Sequence, residues 1–222
     1  MELTSRTTQV NSIAPVSAAA AVAGKWISLK NVLRCVVKVS LGVLDTSATV
    51  RIRQATAIAG TGAKNLLFSA VWRTGGRLAI TARSAAFTVG ETVTGGTSTA
   101  TGVVHSQSEF GLVIYSVAGT FQDAETLTGG DSGSTATEDG VISDYGIKCR
   151  VAQTAAATAT LTIPGEDYEI EIDPSDLDTD NDFDCINADI SAVGAAAAHL
   201  VSIGYVLEQK YTGEPQMSPY ID

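Results

Sequence analysis

The chain alternates apolar and polar residues with a period of two, the pattern of strands that bury one face. In "KWISLKNVLRCVVKVSLG", residues 25–42, Leu33, Cys35, Val37 and Val39 alternate with Arg34 and Lys38, and the stretch reads as two strands. "ATVRIRQA" sets Val50 and Ile52 against Arg51 and Arg53 after a turn at Asp45-Thr46-Ser47, and "LLFSAVW" begins another strand. The pattern returns in "YGIKCRVAQT", "ATATLTIP", "FDCINADIS" and "HLVSIGYVLEQ". "DYEIEID" faces Tyr168, Ile170 and Ile172 inward and Glu169 and Glu171 outward. Helix-period runs of useful length are absent. The expected fold is all-β, an antiparallel, jelly-roll-like β-sandwich formed from residues 25–83 and 143–210. Residues 1–24 read as an extended N-terminal arm, and the proline-bearing 211–222 as an extended C-terminal tail.

Between 84 and 142 the texture changes. "FTVGETVTGGTSTAT" begins at Phe87 and "FQDAETLTGGDSGST" at Phe121, an offset of 34 that aligns Glu91 with Glu125, Gly95-Gly96 with Gly129-Gly130, and Ser98 with Ser132. This is an internal duplication. Each copy reads as a strand, a Gly-Gly turn able to take positive φ, and a Ser/Thr-rich strand. The result is an inserted, internally repeated β-hairpin subdomain. It is short of large apolar residues, and a small core would draw on Phe87, Phe110, Leu112, Ile114 and Phe121.

The net charge of −10 conceals a division. Residues 1–83 hold eleven basic and two acidic side chains, a balance of +9, whereas 84–222 hold three and 22, a balance of −19. Such asymmetry favours pairing between the two parts, within a chain or between neighbours. The basic residues are spread out and the whole chain repels phosphate, so a nucleic-acid partner is not expected. Cys35, Cys149 and Cys185 lie in apolar strand-like stretches without CxxC spacing, as buried thiols in a reducing compartment do. No apolar run is long enough to span a membrane. "IAPVSAAAAVAGK" ends in a cleavable-looking Ala-Val-Ala, but the polar stretch before it carries Glu2, so it reads as arm rather than leader.

Candidate chemistry is sparse. "DPSDLDTDNDFD" offers alternating carboxylates, and Asp176, Asp178, Asp180 and Asp182 are the candidate Ca²⁺ ligands, with Asp173 and Asp184 flanking them. Counted from Asp178, the glycine and glutamate of an EF-hand fall on Phe183 and Asp189, so that pattern fails. "LTGGDSGSTA" spells the Gly-Asp-Ser-Gly of serine proteases. Its Ser132, however, aligns with Ser98 in a copy bearing no such motif, and His105 and His199 lack the required context, so Ser132 is a turn residue. "AGTGAKN" does not satisfy the P-loop pattern. Glu169 and Glu171 lie about 6.6 Å apart by strand rise, a glycosidase-like spacing. Outward acids on an amphipathic strand are nonetheless ordinarily a solvated face. No catalytic residue is assigned, and the chain is not expected to be an enzyme.

Four stretches together resemble a group of tailed-bacteriophage virion proteins encoded near major capsid genes. They are "KWISLKNVLRCVVKVSLG", "IRQATAIAGTGAKNLLF", "YEIEIDPSDLDTDNDFDCINADIS" and "SIGYVLEQKYTGEPQMSPYID", roughly the outer two-thirds of the chain. The "GETVTGGTS" and "AETLTGGDS" units are similar to hairpin repeats in phage structural proteins. The group commonly has glycine where this chain has Asp182. The resemblance implies a capsid decoration, or cement, protein assembled in the bacterial cytoplasm and found in the virion. It would bind major capsid protein or other virion proteins as a homo-oligomer, a trimer by preference, with the basic N-terminal part against the capsid or a neighbouring subunit. A tail-tube or head–tail connector subunit and a host-surface glycan-binding module are the alternatives. The glycan reading has little stacking surface to draw on, since Tyr115 is the only Tyr or Trp between 84 and 142.

Overall fold

The computed structural model describes residues 7–17, 19–42, 47–140, 142–163, 165–191 and 200–210. It is all-β, with the described strands joined in an eleven-stranded and a six-stranded antiparallel sheet. The chain divides into two compact units, one holding the described residues up to Val71 and from Ala152 onward, the other Trp72–Val151.

The first unit is a β-sandwich. One face pairs β1 (Thr7–Ser17), β17 (Leu200–Gln209), β4 (Val32–Leu41) and β15 (Asp167–Ile172) in that order. The other pairs β14 (Thr158–Leu161), β5 (Ala48–Ala55), β16 (Cys185–Ile190) and β2 (Val22–Ala23), with β3 (Ile27–Ser28) beside β16 and β6 (Lys64–Asn65) beside β5. Their inner residues form one core that includes Val37, Val39, Val50, Ile52, Tyr168, Ile170, Ile186, Ile203 and Tyr205. The alternation expected for β4 has one exception. A β-bulge, where Glu208 pairs Arg34 but Gln209 pairs Val32, skips Leu33. Leu33 therefore points out at 51% exposure, and Val32 is buried in its place.

Residues 7–17, expected as part of an extended arm, are the edge strand β1, antiparallel to β17. The buried Tyr205 hydroxyl fastens this segment. It accepts from Ser12 Oγ (3.2 Å) and Ala188 N–H (2.8 Å) and donates to the Lys25 carbonyl (3.1 Å). The expected tail, 211–222, lies outside the described residues.

The second unit begins and ends further out than the expected 84 and 142, because its barrel recruits β7 (Phe68–Thr81). From β7 the pairing runs to β10 (Gly111–Ala118), β9 (Thr101–Ser108), β8 (Thr92–Gly95), β11 (Thr126–Gly129) and β12 (Thr135–Glu138). β12 then pairs back to β7, so these described strands close a six-stranded barrel. The barrel has a core of its own, with Leu78 and Ile80 from β7 joining Phe87, Val93, Val104, Leu112, Ile114, Phe121 and Leu127. Phe110, expected inside, is 70% exposed at the tip of the β9–β10 hairpin. β13 (Ser143–Ala156) also pairs with β7.

Candidate functional site

The duplication is a pseudo-two-fold axis in three dimensions. Thr94 pairs with its own repeat-mate Thr128, while Gly95 pairs with Leu127 and Val93 with Gly129. At each end of this pairing a buried glutamate from one copy fills the turn of the other. Glu125 accepts from Thr97 N–H (3.1 Å), Ser98 N–H (2.9 Å) and Ser98 Oγ (2.8 Å), and from Gln122 N–H (2.8 Å) in its own copy. Glu91 accepts from Asp131 N–H (2.9 Å), Ser132 N–H (2.8 Å) and Ser132 Oγ (2.8 Å), and from Thr88 N–H (2.6 Å). Burial pulls both carboxyls upward, but these donors outweigh it, led by the N–H of Ser132 for Glu91 and of Ser98 for Glu125. Both groups are held below the ordinary carboxylate range. Ser132 is thus a turn donor to the buried Glu91 carboxylate.

The Gly-Gly pairs serve a purpose other than the expected one. Positive φ falls instead on the equivalent residues Thr99 (57°) and Gly133 (65°). A Cβ on Gly95 would lie 2.5 Å from Glu125 Oε1, and one on Gly129 would lie 2.7 Å from Glu91 Oε1. Glycine is needed there because the carboxylate occupies the space of a side chain.

Symmetry breaks at Glu138. Its repeat-mate Val104 is fully buried, and Glu138 is nearly so at 1% exposure. Neither Glu138 carboxylate oxygen makes a hydrogen bond. Burial pushes its carboxyl up to about 7, with the charges of Asp123, Glu125 and Asp139 adding to the rise. The Gly140 N–H, which offsets part of that rise, donates to Asp123 Oδ1 at 3.0 Å.

The aspartate loop is arranged by local caps. Asp173 caps a 3-10 turn at Pro174–Asp176, accepting from Ser175 N–H (2.8 Å) and Oγ (2.7 Å), and Asp176 in turn accepts from Asp173 N–H (3.0 Å). The Ser175 N–H and hydroxyl hold the Asp173 carboxyl below its ordinary value. Asp178 pairs with Lys64 and accepts from Asn181 Nδ2, and these two partners likewise lower its carboxyl. Lys64 also sits 4.0 Å over the Phe183 ring, while Gln54 accepts from Asp178 N–H (2.8 Å). Asp182 ends a second 3-10 turn, Thr179–Asn181, in the left-handed conformation at φ 61°. Cys185 Sγ approaches Asp184 Oδ1 at 3.1 Å. The candidate ligands Asp176, Asp178, Asp180 and Asp182 are therefore not gathered. Among the described residues no group of three or more His, Cys, Asp or Glu is placed to hold a metal ion.

The other candidates are also spoken for. Glu169 faces Lys38 (3.6 Å), and Glu171 faces Arg34 (3.0 Å), which reaches Glu208 (3.3 Å) on its other side. Arg51 holds Asp189 through three bonds of 3.0, 3.3 and 2.7 Å. Five ion pairs among the described residues thus join the basic early chain to the acidic late chain within one sandwich. In "AGTGAKN", Gly60 and Gly62 take positive φ in a strand-connecting loop. His105 meets the Tyr115 ring edge-on at 6.3 Å, and His199 lies outside the described residues. All three cysteines are buried, none in a disulfide. No helix among the described residues is long and apolar enough to cross a membrane.

Two groups escaped the sequence reading. Glu91 and Glu125 were visible as aligned residues of the repeat, each four positions before a Gly-Gly. Glu138 was visible as an acid two residues after Ala136, on the face that Val104 marks as core. Comparison with protein-family models, curated proteins and solved structures finds no match.

Proposed function

We propose that this chain is a non-enzymatic structural protein of a tailed-bacteriophage virion. In this reading it is a capsid decoration protein that binds the major capsid lattice as a homotrimer and stabilises it. The observation that carries the reading is at Asp182. The virion group that the chain resembles commonly has glycine at this position, and here the backbone takes φ 61°. Glycine serves such a conformation without strain, and Asp is among the few other residues that tolerate it. The departure at Asp182 is thus consistent with a shared local turn. The charge division, first a reason to expect a basic capsid-facing part, is used in part inside the sandwich. The proposal therefore does not rest on Arg34, Lys38, Arg51 or Lys64 meeting the capsid.

The test mixes the purified chain with shells assembled from major capsid protein alone. Light scattering gives its mass in solution. The expected result is a trimer that saturates the shells and raises their thermal transition. Rings or tubes without shell binding would replace the proposal with the tail or connector reading. Binding to a glycan array, with none to shells, would replace it with host-surface recognition.

A further inference from the structure

Strand β12 meets β7 through the pairs Thr137↔Thr81 and Glu138↔Ile80, so the unpartnered glutamate sits on the seam that closes the barrel. The first copy shows what the fold requires at this place. Val104 donates its N–H to the Glu91 carbonyl at 2.9 Å, and Glu138 donates to the Glu125 carbonyl at 2.9 Å, the same bond with a different side chain. An apolar residue therefore suffices for the architecture. A carboxylate there opposes folding, because neither oxygen makes a hydrogen bond and the Gly140 N–H, which donates to Asp123, offsets its burial only in part.

The surroundings sharpen the effect. Asp123 and Glu125, just before β11, and Asp139, beside Glu138 itself, are all acidic. Asp123 stands where the first copy has Val89, so both positions change from apolar to acidic together. The paired residues on β7, Ile80 and Thr81, carry no charge. Arg83, beyond them, is engaged with Gln107 Oε1 (3.2 Å) and the Ser108 carbonyl (3.0 Å).

We propose that the β12–β7 seam is a proton-controlled latch, closed while Glu138 carries a proton and loosened when Glu138 ionises. In the closed seam the carboxyl titrates at about 7, against the ordinary 4.5 once it reaches water. The closed form binds the extra proton across that window. Its stability is therefore full below about pH 4.5, falls as pH rises to about 7, and levels off above. Each pH unit inside the window multiplies the open fraction about tenfold. This inference is independent of the virion reading.

Hydrogen exchange on the full chain at about pH 5.5 and 7.5, corrected for intrinsic rates, tests it. The β12 amides of the wild type should lose protection roughly twentyfold between these values by linkage. Glu138→Gln and Glu138→Val should each change less than about twofold, since neither titrates in that range. The valine variant repeats what Val104 already does and covers the case in which the amide is poorly accommodated. Carboxyl-carbon NMR on the unaltered chain reads the titration directly. A Glu138 midpoint near its ordinary value, or a wild-type seam no more pH-dependent than the variants, overturns the latch.

Discussion

Replacing Glu125 with alanine removes an acceptor that four donors share: the N–H groups of Thr97, Ser98 and Gln122 and the Ser98 hydroxyl. A hydrogen bond to a charged group contributes about 1.5–3 kcal/mol net when shielded and nearer 1 when water can replace it. Thr97 and Gln122 are exposed, so water relieves their loss, while Ser98 is half-buried. Counting about 1 kcal/mol for each donor gives a destabilisation of about 4 kcal/mol. That is a large share of the 5–15 kcal/mol typical of a domain. Guanidinium unfolding followed by fluorescence measures it, since Trp72 belongs to the barrel and Trp26 to the sandwich. The crossed arrangement then makes a sharper demand. Ser98→Ala also loses the Ala100 N–H bond to its hydroxyl in either background, so it should cost about 1 kcal/mol more in the wild type than once Glu125 is alanine, a coupling near 1 kcal/mol. Paired with Glu91→Ala it should be additive, because Glu91 serves Ser132. Coupling of Ser98 to Glu91 rather than to Glu125 would refute the exchange of glutamates between copies.

Three further outcomes follow. Gly129→Ala puts a methyl 2.6 Å from Ser132 Oγ and should cost about 2–3 kcal/mol by urea unfolding. Gly133→Ala, at positive φ with open space around it, should cost only about 1. Equal costs would mean that the carboxylate does not demand the glycine. Tyr205→Phe strands the Ala188 N–H and the Ser12 hydroxyl and should cost about 2–3 kcal/mol. A loss under about 0.5 kcal/mol would remove Tyr205 as the fastener of the N-terminal segment. The barrel's pH profile combines two opposite slopes. Glu91 and Glu125 are lowered on folding, so their contribution is present above about 4.5 and fades as acid protonates them, whereas Glu138 is raised and costs stability toward pH 7. Barrel stability, followed by thermal unfolding across pH, should therefore peak near about pH 5. A profile still rising at pH 7 contradicts the assignment of Glu138.

Much of the sandwich was legible because one face of each strand is buried. Tyr168, Ile170 and Ile172 alternate with Glu169 and Glu171, and all five lie where the pattern puts them. The pattern misled at Leu33, because a bulge shifts the register by one and nothing in the local residues marks it. The barrel was harder to read. Its bounding strand begins as part of "LLFSAVW", and its core is shared among small and medium side chains contributed across the duplication. The repeat itself was plain, but its logic required knowing that each glutamate crosses to the other copy. Spacing along the chain cannot show that. In the aspartate loop, residue types suggested a shared ligand, whereas the Asp173, Asp176 and Asp178 carboxylates have nearer local donors, and short-range caps prevail over convergence.

The pairing of β1 with β17 imposes an order on folding. Thr7 meets Glu208, so the sandwich's edge must wait until about 200 further residues have been synthesised. The barrel's strand pairings all lie between Gly75 and Glu138, and their contacts are shorter in sequence. Contacts close in sequence form sooner than distant ones. During translation the barrel is therefore the earlier structure. The basic first strands of the sandwich spend that interval without the acidic partners that will later neutralise them, exposed for as long as the ribosome takes to reach β17.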